Sequence, residues 1–178
     1  MAETQYRYFG FLRYPAGDIL PIGLTSGASF THTLAVNDAG TATGYSAPYD
    51  PATQLKAWFV ESGGTFQNLI IGYGAYDWRA SSINAAGVVV GTLTEHYYAQ
   101  FARGFIRYAD GTEAYFKIPN IVSFNSYNFA ASSVNDLNQI VGYYKDSAGY
   151  QHGYIRLPTN TAQANGLVPD EPSVEGDE

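Results

Sequence analysis

The chain has 178 residues and no cysteine, so it can form one domain with a substantial core but has no disulfide, thiolate metal site or cysteine nucleophile. Its formal net charge of −7 owes much to Asp170, Glu171, Glu175, Asp177 and Glu178; the other 11 acids against 9 bases leave the body at −2. With no basic face and no apolar run of about 18 residues, neither nucleic-acid binding nor a membrane span is expected.

Sixteen Tyr, 10 Phe and 19 Gly against a single Met suit pleated strands and tight turns. The N-terminus, "MAETQYRYFGF", has no basic segment leading into an apolar one, so no signal peptide is expected in this sequence. A strand is expected over about 5–15, around "GFLRYP". Three units follow, at about 18–62, 63–110 and 111–158, each expected to hold four antiparallel strands. Within them "HTLAV", "RASSI" and "AASSV" lead into turns, and "TATGYS", "VVVGTL" and "QIVGYYKD" lead out. "KAWFVESGG", "RGFIRYADG" and "HGYIRLP" alternate apolar and polar residues, and "TFQNLII" and "TEAYFKIP" follow the first two. No segment has an apolar period of 3.6 residues, so the expected class is all-β over 1–158. Residues 159–178 are polar, acidic and Pro-containing, and read as a disordered tail.

Three landmarks recur. Asn37, Asn84 and Asn135 each open a four-residue turn, "NDAG", "NAAG" or "NDLN". The fourth position of such a turn favours left-handed φ, and Asn138 is the non-glycine residue that best tolerates it. Gly44, Gly91 and Gly142 sit inside the strand that follows, where glycine marks close backbone approach or a bulge. A crowded place where units meet is the expectation. Gly10-Phe11, Ala57-Trp58, Gly104-Phe105 and Gly153-Tyr154 pair a small residue with an aromatic. A period near 48 residues falls in the range of propellers and related arrays.

The pattern A/S-x-I/V-N-x-x-G-x-I/V-V-G-Y, then a turn and H-G-F/Y, resembles the HAF-type extracellular repeat. Asn135, Val141, Gly142, Tyr143, Gly149, His152 and Gly153 fall on it in the third copy. Ile83, Asn84, Gly87, Val90, Gly91, Gly104 and Phe105 do so in the second, with Arg103 in place of the His. The first departs further, with "TATG" and Lys56-Ala57-Trp58. The resemblance spans about 150 residues. It implies β-propeller-like blades and an extracellular or cell-surface setting, and it carries no agreed activity. Propellers use four to eight blades, so three units imply a ring completed by a homo-oligomer such as a dimer. The alternative is a β-trefoil-like barrel of pseudo-threefold symmetry.

No catalytic or metal-ligating set emerges. His32, His96 and His152 occupy different places in the units, and no His-x-His or His-x-x-x-His spacing occurs. His152 aligns with Lys56 and Arg103 and reads as a hydrogen-bond partner between strands. No G-x-S-x-G is present, and "GYGAYDW" lacks the Lys of a phosphate loop. No cofactor is expected.

Ligand contacts are expected in the two longest connections, 71–80 and 120–130. Tyr73, Tyr76, Asp77 and Trp78 in one, and Phe124, Asn125, Tyr127 and Asn128 in the other, join rings that stack on sugars to groups that bond hydroxyls. The competing view is that these aromatics fill space between units. The leading functional expectation is a non-catalytic extracellular or cell-surface module that binds a glycan or another surface ligand. A structural self-assembling repeat protein and an enzyme of unknown reaction are the alternatives.

Overall fold

The computed structural model describes residues 8–22, 28–48, 56–60, 66–69, 75–95, 101–118 and 128–158. The tail expected over 159–178 lies outside the described residues.

The fold is all-β, with thirteen strands and no helix among the described residues. β1 (Gly10–Arg13) and β2 (Ile19–Ile22) form a two-stranded sheet. β3 (Ala28–Val36), β4 (Ala42–Pro48), β5 (Lys56–Val60) and β6 (Phe66–Asn68) form a four-stranded one. β7 (Ala75–Ile83), β8 (Val89–Glu95), β9 (Phe101–Arg107) and β10 (Glu113–Phe116) form a second of four. β11 (Phe129–Val134), β12 (Ile140–Lys145) and β13 (Gln151–Arg156) make the last sheet, of three. Within each sheet, neighbours in the chain are neighbours in space and pair antiparallel.

Hydrogen bonding groups the strands one place later than the expected units at 18–62, 63–110 and 111–158. β2, β6 and β10 pair with the strand before them rather than opening the next set. The reason is local. Tyr108 N–H bonds Thr112 O and Gly111 N–H bonds Tyr108 O, which folds β10 straight back onto β9. No barrel closes among the described residues.

Turn chemistry follows one rule six times. Starting at Tyr14, Asn37, Asn84, Tyr108, Asn135 and Asp146, the first residue's N–H bonds the carbonyl four on, and the fourth residue's N–H bonds back to the first. That fourth residue has positive φ each time: Gly17, Gly40, Gly87, Gly111, Asn138 at 57° and Gly149. This is a type I turn closed by a left-handed residue, a standard hairpin link.

Gly44, Gly91 and Gly142 answer a different need. The first strand of each larger sheet bulges just before its turn, between Thr33 and Ala35, Ala80 and Ser82, or Ala131 and Ser133. A Cβ on the three glycines would stand 1.8, 2.0 or 1.9 Å from the carbonyl oxygens of His32, Arg79 or Ala130. On the other side the glycines pair with Trp58, Phe105 and Tyr154, whose rings lie over them. An aromatic ring covering a strand glycine supplies the packing that the glycine lacks. The crowding is therefore within a sheet, rather than where units meet as the sequence suggested.

Cores form between successive sheets. Leu12 and Ile22 pack on Ala42 and Trp58; Ala57 and Phe59 on Trp78, Val89 and Phe105; Val90 and Ile106 on Ala131, Val134 and Ile140. Alternation along each strand makes this work, sending Trp58 one way and Phe59 the other. β8 is buried on both faces, and full burial of Val88, Val89 and Val90 contributes roughly 1.5–3 kcal/mol each.

Gly91→Ala is expected to lower unfolding free energy by about 1–3 kcal/mol, as overpacking does. Urea titration checks it, with Gly153→Ala as comparison, because that glycine lacks a positive φ and the nearest atom to its Cβ site is 3.9 Å away. An equal or smaller loss at Gly91 would contradict the crowding described.

Candidate functional site

The strands leading into and out of the Asn turns bring three sheets together around a cleft of about 310 Å³. Leu34 and Tyr45 come from the first four-stranded sheet, Asp77, Arg79, Ser81, Thr92 and Thr94 from the second, and Phe129, Ala130, Ala131, Ser132 and Tyr143 from the last. Positions match from sheet to sheet. Leu34, Ser81 and Ser132 each lie three residues before the turn Asn, and Tyr45, Thr92 and Tyr143 each follow the strand glycine.

Some polar groups here are already used in holding the sheets together. Ser81 Oγ–H donates to the carbonyls of Ala131 and Val90, and Thr92 Oγ accepts from Ala131 N–H at 3.1 Å. Arg79 places its guanidinium 5.7 Å from the centre of the Tyr45 ring. Its buried Nε–H has no hydrogen-bond partner among the described residues. Tyr45 is also stacked on His32, with centroids 5.0 Å apart. The cleft thus joins one cation, one carboxylate, two phenol rings and several hydroxyls, a set suited to a polar ligand of modest size.

Of the residues expected to contact ligand, Asp77 lines this cleft. Trp78 does not. It is 6% exposed, and its ring packs edge-on at 5.6 Å from Phe105 and 6.4 Å from Tyr115. The connection expected over 71–80 is already strand from Ala75, which places Tyr76, Asp77 and Trp78 on β7 and, by alternation, Trp78 on the core side. Tyr73, Phe124, Asn125 and Tyr127 lie outside the described residues; Asn128 immediately precedes β11.

Arg79, Tyr45 and Tyr143 were missed in the sequence reading. Their signals were a lone cation in the small-residue run "RASSI" and a Tyr after the strand glycine in two of three copies.

His32 and His152 serve separate roles. His32 packs with Phe30 and Tyr45, while His152 Nε2 lies 2.8 Å from Asp146 Oδ2 and its ring stacks on Tyr144 at 5.2 Å. No group of three His, Asp or Glu residues able to hold a metal occurs among the described residues. No helix among them is long and apolar enough to cross a membrane. No protein-family model matches the chain, and no curated protein matches it.

The hydrogen bond from His152, with the backbone N–H groups of Tyr150 and Ala148, holds the Asp146 carboxyl below the usual carboxylate range. A depressed folded pKa means that the clasp stabilises the β12–β13 hairpin above the ordinary Asp value. That contribution is lost as pH falls through the lowered folded one. In a carboxyl NMR titration, His152→Ala is expected to move the Asp146 midpoint upward. An unchanged midpoint would show that the imidazole does not hold it.

Proposed function

We propose that the protein is a non-catalytic binding module of an extracellular or cell-surface setting, and that its cleft receives a carbohydrate. The observation that carries this reading is the meeting of Tyr45, Asp77, Arg79 and Tyr143 at one cleft. Phenol rings stack on the apolar face of a pyranose, while a guanidinium and a carboxylate bond its hydroxyls. The four sheets act as consecutive blades of a β-propeller-like array, in which each sheet packs on the next without merging into a barrel. The resemblance to HAF-type repeats supports that arrangement, as do the matched turns and glycines. It favours the array over a trefoil-like barrel, which would require strands of different units to close one sheet. A structural, self-assembling role is the second reading, favoured by the distribution of exposed apolar side chains described below.

A glycan array followed by titration calorimetry tests the binding proposal. The native chain is expected to bind at least one glycan, and Arg79→Ala and Tyr143→Ala are each expected to weaken it about tenfold or more, the equivalent of ~1.4 kcal/mol. Trp78→Ala serves as a contrast, expected to lower stability rather than alter ligand contacts directly. No binding across the array, or binding indifferent to both cleft variants, would remove the reading.

A further inference from the structure

Exposed apolar side chains are segregated. Among the described residues, every exposed large apolar side chain lies within 8–36 or 137–157, and none lies between. Tyr8, Phe9, Phe11 and Ile19 mark one end of the array, and Leu137, Val141, Tyr150, Ile155 and Leu157 the other; Leu34 and Val36 lie on β3, Leu34 at the cleft.

These are seam positions without a seam. Thr43 pairs with Phe59, Val90 with Ile106 and Val141 with Ile155 at the same register in the three larger sheets. The first two pairs are at most 7% exposed because the following sheet covers them, whereas Val141 is 43% and Ile155 60% exposed. At the other end Phe11 occupies the place of Trp58, Phe105 and Tyr154, the aromatics that face the preceding sheet. Trp58 and Phe105 are fully buried, and Phe11 is 58% exposed.

Polar groups tell the same story. Asn37 Nδ2 donates to Asn84 O, and Asn84 Nδ2 to Asn135 O, both at 3.0 Å. Asn135, with no following Asn turn among the described residues, bonds back to Gln139 Oε1. In the seam between the second four-stranded sheet and the last, Ser81, Ser82 and Thr92 also bond across.

We infer that a second copy of this chain docks head to tail, the outer face of its β1–β2 sheet covering Val141 and Ile155 of the first. In each internal seam the later face of one sheet meets the earlier face of the next. The two free ends are one of each, so like cannot meet like as the seams do. Such a contact is heterologous and produces a closed ring or an open chain of copies. The inference does not rest on the carbohydrate reading, since no cleft residue takes part.

Sedimentation velocity on the full chain over a concentration series tests it, with Phe11→Lys blocking one end and Ile155→Lys the other. Both positions are exposed, and circular dichroism confirms folding; Ile19→Lys and Val141→Lys replace either variant that fails to fold. The native chain is expected to associate with rising concentration, and each variant alone to remain monomeric. An equimolar mixture of the two is expected to stop at a dimer, because only one competent seam remains. A native chain that stays monomeric throughout, a Phe11→Lys chain that associates as the native one does, or a mixture without dimer would overturn the inference.

Discussion

A string of asparagine side chains ties the three larger sheets together, and their arrangement depends on it. Each turn Asn works in two directions. Its Oδ1 accepts from the backbone four residues on, at 2.9 Å from Thr41, Val88 and Gln139, which shapes its own turn. The Nδ2 of Asn37 and of Asn84 then reaches the carbonyl of the next turn's Asn. Asn84 goes further and donates to Asn138 Oδ1 at 2.8 Å. An amide has two donors and one acceptor with two lone pairs, so no other side chain of this size could shape a turn and link two sheets at once. Asn84 is 4% exposed, and leaving its partners unsatisfied would cost about 1–3 kcal/mol per group.

That string links neighbouring sheets at their Asn turns, while the strand glycines answer a crowding inside each sheet. The bulge beside each turn tips a carbonyl over the second strand, where only glycine leaves room for it. Beyond the bulge the strands separate, and three sheets leave a space between Tyr45, Arg79 and Tyr143. Burial then depends on rank in the array. The sheet built on β8 has neighbours on both sides and hides both its faces, while the sheets at either end have one face each that nothing among the described residues covers.

Much of the fold was legible because its determinants are local. Asn138 in place of a turn glycine pointed to left-handed φ, and the structure has 57° there. The three strand glycines pointed to close approach. Grouping of strands was less legible, since "TFQNLII" reads as a strand whichever neighbour it pairs with; hydrogen bonding across a short hairpin decides it. The candidate site was the least legible. Asp77 and Trp78 are adjacent, yet alternation sends one to the cleft and the other into the core, and an aromatic rich in ligand-binding potential looks no different in sequence from one that fills a seam. Tyr45 and Tyr143 lie 98 positions apart, and only packing of the intervening sheets brings them to one cleft.

Exchange of the side-chain amide protons of the three turn asparagines with solvent, followed by NMR, examines the string most directly. The Nδ2 protons of Asn84 are expected to exchange slowest, those of Asn37 at an intermediate rate, and those of Asn135 fastest, as among the described residues its side chain bonds only within its own exposed turn. Equally fast exchange at all three would mean that the asparagine string does not hold the sheets together in solution.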